Sequence, residues 1–207
     1  MKTDIVFPNN NEQQFLGMAE KLNIEKLIFA YKYDKNLDTN NIKEGIKKLS
    51  DKTDISLDLA LLSTSINLQQ SKKICNRTLI DAKEHDSDKI RNLIEKRKPF
   101  LVFDLEYQKK DFIHHRNSGL NQVTCRFLKE NNIILGFSFS LILKTKNRDF
   151  ILGRMMQNIR FMRKFKFQVK IASFAQNPYD MRSLDDLKSL FITLGMHPKE
   201  AEDSLIL

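Results

Sequence analysis

A chain of 207 residues with 41% hydrophobic side chains suits one domain, 1–207, around a single substantial core. No apolar run approaches the ~20 residues of a membrane span, Met1–Pro8 turns polar too early for a secretory leader, and lone Cys75 and Cys125 exclude a disulfide framework or zinc knuckle. A cytoplasmic protein with no membrane partner is expected, and the net charge of +9 points to a polyanionic partner instead.

Short β-type runs alternate with helical patterns along the chain. The expected strands are Asp4–Phe7, Lys26–Ala30, Ile55–Leu62, Thr78–Ala82, Phe100–Asp104, Ile133–Ser138 and Gln168–Ser173. Leu27–Ala30 and Ile133–Leu135 are continuous apolar runs, as strands covered on both faces require. Between them, Glu12–Leu22 places Phe15, Met18, Ala19 and Leu22 on one helical face, with Asn11 as cap and Asn23 as left-handed stop. Thr39 is the expected cap of a helix carrying Ile42, Ile46 and Leu49. Asp86 or Ser87 precedes Ile90, Leu93 and Ile94, and Ser118 precedes Leu120, Val123, Phe127 and Leu128. From about Asp149 to Phe165 the apolar stripe is Ile151, Met155, Ile159 and Met162. Ser183–Asp186 resembles a capping box ahead of Leu187, Leu190, Phe191 and Leu194, Gly195 supplies the stop, and a short helix closes at Pro198–Ser204.

This alternation predicts an α/β fold with a parallel sheet and outer helices. Seven units can close as a barrel or open as a doubly wound sheet, and the pattern favours the barrel. Pro8–Asn11 stands where a dinucleotide fold would carry its Gly-rich turn.

Charge is concentrated in one stretch. From Lys144 to Lys170 there are nine basic residues against Asp149 alone. Within it, Arg154, Arg160, Arg163 and Lys164 avoid the apolar stripe and are expected to form an exposed cationic band for phosphate oxygens. A second candidate follows the fifth strand, in Lys109–Gln122. Ser118 there is read as a helix cap and Gly119 as room for a ligand to approach the backbone. Lys109, Lys110 and Arg116 add positive charge to an anion site at the helix N-terminus. An ordinary capped helix with a polar loop accounts for the same residues.

Enzymatic readings have thinner support. The four histidines, His85, His114, His115 and His197, include no His-x-His pair, and no Gly-x-Ser-x-Gly elbow surrounds Ser63, Ser65 or Ser118. Asp81, Asp104 and Glu106 fall near strand ends, with Asp104 and Glu106 on one face. They could hold a hydrated Mg²⁺ or balance nearby cations.

Several stretches together resemble the family of ribonuclease P protein component 3, the archaeal relatives of a eukaryotic RNase P subunit. Arg116-Asn117-Ser118-Gly119-Leu120-Asn121-Gln122-Val123 is similar to the family's Arg-Ser-Gly-Leu-Asn signature, with Asn117 as an extra residue. Ile133–Leu143 resembles the following strand, and Gln157–Phe165 an Asn-x-Arg…Arg-Lys helix. Ile171–Ala175 resembles the last strand, with Phe174 where the family usually has Gly. Met181–Ser183 through Met196 resembles the closing helix.

The resemblance implies a TIM-barrel-like, PHP-related barrel without that group's metal ligands. It implies a ribonuclease P protein subunit that binds and stabilises the catalytic RNA while 5′ leaders are removed from precursor tRNA, with the chemistry in the RNA. Expected partners are ribonuclease P RNA, precursor tRNA within the complex and other small RNase P proteins, one of them in direct contact. No cofactor is expected on this chain; Mg²⁺ would serve the RNA. The residues expected at RNA are Lys109, Lys110, His115, Arg116, Asn117, Ser118, Asn121, Arg154, Arg160, Arg163, Lys164 and Arg182. Two other readings stay open: a stand-alone metal-dependent phosphoesterase on a degenerate barrel, and a basic module for an acidic protein.

Overall fold

All seven expected strands form, and they pair in chain order into one parallel sheet in a computed structural model. The structure describes residues 1–107, 110–111, 113–114 and 116–207, without the side chains of Glu84 and Ser87. The strands are β1 (Thr3–Val6), β2 (Lys26–Lys32), β3 (Ser56–Leu62), β4 (Thr78–Asp81), β5 (Leu101–Phe103), β6 (Ile134–Ser138) and β7 (Val169–Ala172). Helices α1 (Glu12–Lys21), α2 (Thr39–Ser50), α3 (Leu68–Ile74) and α4 (Ser87–Asn92) connect β1 to β5. A π turn at Leu93–Arg97 continues α4. Then come α5 (Gln122–Glu130) before β6, α6 (Phe139–Lys144) and α7 (Arg148–Phe165) before β7, and α8 (Leu184–Thr193) and α9 (Pro198–Asp203) at the end.

The sheet curls until β1 and β7 meet. Val6 bridges Ala175 in parallel, and the Phe7 N–H donates to the Ala175 carbonyl at 2.7 Å. Lower on the seam, side chains replace the missing ladder. Asp4 accepts from the backbone N–H and the hydroxyl of Ser173, both at 2.6 Å. The fully buried Lys170 ammonium donates to the carbonyls of Thr3 and Leu205, also at 2.6 Å. The C-terminal turn wedges in beside them, with Thr3 N–H on Leu205 and Ile171 N–H on Ser204. Burial pushes the Lys170 amine down to about 7, while Asp4 nearby opposes this. The pattern left closure open between a barrel and an open sheet; the seam contacts make it a nearly closed barrel.

Two apolar layers result, because alternate residues of a covered strand face opposite sides. Ile5, Ile28, Ala30, Ala60, Leu79, Leu101, Phe103, Ile134, Ala172 and Phe174 fill the barrel. The larger layer lies between sheet and helices. Small residues make room for large ones inside. A Cβ on Gly136 would stand 2.8 Å from Phe103 and 2.9 Å from Phe174, whose rings stack at 4.6 Å. Phe174 itself has φ +48, a left-handed backbone that favours Gly. That is the position where the resembled family usually has Gly, and here the ring's burial offsets the strain.

Capping differs from expectation at three helices. Asn11 makes no side-chain cap to α1; its Oδ1 instead accepts from the Asn9 N–H. At α2 the cap is Asp38, which accepts from Asn41 N–H, and Thr39 is already in the helix. The helix after β5 begins at Gln122 rather than at Ser118, with Asn121 as its cap. Asp86 and Ser183 cap as expected. No helix is long and apolar enough to cross a membrane among the described residues.

Candidate nucleic-acid interface

Described residues between Leu105 and Asn121 lie against α7, where Glu106, Asp111 and Ser118 fasten them. Arg154 is the centre of this latch, 3% exposed. Its Nε donates to Asp111 Oδ1 at 2.8 Å and its Nη1 to the Glu106 carbonyl at 2.9 Å. One turn on, Asn158 donates through Nδ2 to Glu106 Oε1 at 2.7 Å and to the Ser118 carbonyl at 3.0 Å. The same Asp111 oxygen accepts from Asn117 N–H at 2.8 Å, and Asn117 Nδ2 reaches the Lys110 carbonyl. Burial opposes ionisation of Asp111, but the bonds from Asn117 and Arg154 outweigh it and hold the carboxyl below its ordinary range. Glu106 is fully buried, and that burial pushes it up to about 7 despite the Asn158 bond.

The Arg-Asn-Ser-Gly-Leu-Asn stretch is therefore largely the chemistry of the latch. Asn117 pins Asp111, and Ser118 is buried with its carbonyl on Asn158. Gly119 takes φ +79, and a Cβ there would stand 2.3 Å from the Leu105 carbonyl oxygen. Its openness serves the protein's own backbone, which corrects the expectation that a ligand approaches there. Leu120 is buried, and Asn121 caps α5. Arg116 is exposed overall, yet its guanidinium lies over Gly153 of α7, where a Cβ would come within 2.8 Å of Nε.

The expected cationic band on α7 divides in two. Arg154 faces inward and is no part of an exposed band, because the folded-back loop covers its face. Arg163 forks onto Glu200, at 2.9 Å through Nε with a second bond from Nη2, and Nη2 also reaches the Gly195 carbonyl. Arg163 thus ties α7 to the C-terminal helices and holds Glu200 down at about 2. Arg160 and Lys164 are exposed as expected. Arg182 spends its Nη1 on the carbonyls of Tyr179 and Met181 and lies 5.5 Å from the Phe139 ring. Lys110 is exposed; Lys109 and His115 lie outside the described residues.

Two residues the sequence reading passed over join Lys110. Tyr107 and Phe150 are 52% and 49% exposed and line one cavity of about 810 Å³ with Lys110, Lys144 and Lys146. Each is an isolated aromatic without periodic neighbours, so no sequence pattern marks it.

The barrel mouth is arranged differently from the expected carboxylate face. Asp104 adopts φ +61, which ends the strand alternation. Its side chain lines a small cavity with Asp81, Lys83, Ser138 and Ser140, whereas Glu106 turns away into the latch. Lys83 ammonium sits 2.6 Å from Asp104 Oδ2, and burial lifts Asp104 to about 6. Among the described residues no group of three or more His, Cys, Asp or Glu comes together as a metal-binding set. Ser63 is buried and donates to the Ser71 hydroxyl at 2.6 Å.

The family-model match falls on this half of the molecule. Residues 109–206 match the family model described as RNase P subunit p30. Ribonuclease P protein component 3 of Methanothermobacter thermautotrophicus is 29% identical over 96 residues, 45% of this chain and 39% of that protein. Its namesake in Methanosarcina mazei is 28% identical over 107 residues, 49% of this chain and 45% of that protein. The matched region thus spans less than half the length of either relative. A chain in the cryo-EM structure of archaeal ribonuclease P with mature tRNA superposes with a TM-score of 0.81 at 20% identity. That superposition covers 98% of this chain and 86% of the other, and it shows the shared barrel. Through residues 109–206 the chain is similar to the RNase P subunit p30 family.

Proposed function

We propose that this chain is a cytoplasmic protein subunit of ribonuclease P, the endoribonuclease of tRNA 5′ maturation, and that it works by holding RNA. The observation that carries the reading is a coincidence of place. The family match at 109–206 covers the latch from Lys110 onward, the Phe150 side of the groove beside it and the stretch from Lys144 to Lys170 that holds most of the excess positive charge, with Glu106 and Tyr107 just ahead of it. Several exposed cations on one rigid frame suit the phosphate backbone of a folded RNA. Ribonuclease P RNA is the expected partner, with precursor tRNA in the assembled complex and a second small RNase P protein in direct contact. Mg²⁺ would serve the RNA, where the chemistry is placed.

The test is cleavage of precursor tRNA by ribonuclease P RNA and its other protein subunits, with and without this chain. The expected result is higher cleavage at physiological Mg²⁺ on adding the chain, and none from the chain alone. Cleavage by the chain alone would replace this reading with the phosphoesterase one and make Asp81, Asp104 and Glu106 the first residues to mutate.

A further inference from the structure

We infer that the groove between Tyr107 and Phe150 is a stacking site for an unpaired RNA segment; this deepens the RNA-binding reading and rests on it. The groove lies between the start of the latch loop and the start of α7. Its cavity of about 810 Å³ adjoins another of about 450 Å³ that shares Tyr107, Lys144 and Thr145 and adds Lys83 and Asp81. Two aromatic rings, each about half exposed, therefore open on one continuous depression.

The charge of the groove is positive, with Lys83, Lys110, Lys144, Lys146 and Arg154 against Asp81 and Asp111. Asp111 and Arg154 bond each other at 2.8 Å. Lys110, Lys144 and Lys146 remain as exposed cations, with Lys144 steadied by Gln176 Oε1 at 2.8 Å. Lys83 lies 5.6 Å from the Tyr107 ring and Arg154 6.0 Å from the Phe150 ring. These cations lie near the rings and help to set them in place.

Aromatic faces interleaved with lysines suit a strand whose bases are free to leave their own stack. A duplex keeps its base faces covered and offers such rings nothing. Base–aromatic stacking tolerates any sequence, and lysines act as point charges for phosphates, so the site should discriminate unpaired from paired RNA rather than read bases.

The experiment titrates the full chain into a short oligouridylate carrying one 2-aminopurine, into a duplex of the same length and into ribonuclease P RNA. Tyr107→Leu and Phe150→Leu keep apolar bulk at half-exposed positions. Each should weaken oligouridylate binding about tenfold and reduce 2-aminopurine quenching. Lys110→Ala with Lys146→Ala should lower the salt slope by about 0.7 per lysine. If ribonuclease P RNA binds as before and both ring variants leave oligouridylate binding and quenching unchanged, stacking in the groove is overturned while the RNA-subunit reading stands. If the unaltered chain binds neither RNA, both are overturned.

Discussion

Arg154 and Arg160 stand on the same helix, α7, yet only one of them meets solvent. Arg154 is buried among Asp111, the Glu106 carbonyl and the folded-back loop, whereas Arg160 is exposed. Arg163 and Lys164, adjacent in sequence, differ in pairing rather than in burial, with Arg163 half-buried and forked on Glu200 and Lys164 exposed. Net charge counts these residues alike. The fold assigns the bonded arginines, Arg154 and Arg163, to holding the loop and the C-terminal helices, and leaves the outward cations for a polyanion. The difference is one of available donors. A guanidinium already bonded to carboxylate and carbonyl oxygens has few N–H groups left for a phosphate.

The strongest way to break this division is Arg154→Ala. Asp111 and the Glu106 carbonyl would lose the guanidinium, and among the described residues Asp111 would keep only the Asn117 N–H, with the Arg154 side chain only 4% exposed. A loss of about 3–5 kcal/mol is expected, as for other buried pairs deprived of one member, read as a lower urea midpoint. A loss under about 1 kcal/mol, the worth of a surface pair, would mean the latch is not structural.

Glu106→Gln sharpens the same region through pH. Folding raises this carboxyl from 4.5 to about 7. Between those values the folded chain holds a proton that the unfolded chain has released. Stability therefore falls as pH rises through that window, and the penalty is complete above pH 7. The neutral amide escapes it. The variant should match the parent near pH 4.5 and gain roughly 1–3 kcal/mol at alkaline pH, measured as a difference in thermal midpoints. Equal midpoints on both sides would place Glu106 in a more open setting.

Arg163→Ala should cost about 1 kcal/mol, because its pair with Glu200 is only partly covered. Glu200 is held down at about 2 by that guanidinium. The contribution is present above the unfolded value of 4.5 and fades as pH falls toward 2, so an acid titration should bring variant and parent together. Arg160→Ala with Lys164→Ala should change stability by no more than about 0.5 kcal/mol, while weakening RNA binding.

The barrel was legible in the sequence because strands covered on both faces leave apolar runs such as Leu27–Ala30, and the α7 stripe of Ile151, Met155, Ile159 and Met162 is buried as its spacing implies. The inward turn of Arg154 was not legible. It neighbours the stripe, and only a loop from elsewhere in the chain decides whether that flank is wet. Ser118 and Asn121 are equally competent caps in local terms. What selects Asn121 is the packing of Gly119 against Leu105, a contact between residues fourteen positions apart. Asp104 and Glu106 shared a face only while the strand alternation held, and the left-handed backbone at Asp104 ends it. Tyr107 and Phe150 line one cavity only because the residues after β5 and the start of α7 lie side by side.

The measurement that tests the division most directly is the salt dependence of ribonuclease P RNA binding. It compares the parent chain, Arg160→Ala with Lys164→Ala, and Arg163→Ala. The account predicts a slope lower by roughly one unit per residue removed from the outward pair, and a parental slope for Arg163→Ala. A parental slope for the outward pair, or a reduced one for Arg163→Ala, would contradict it.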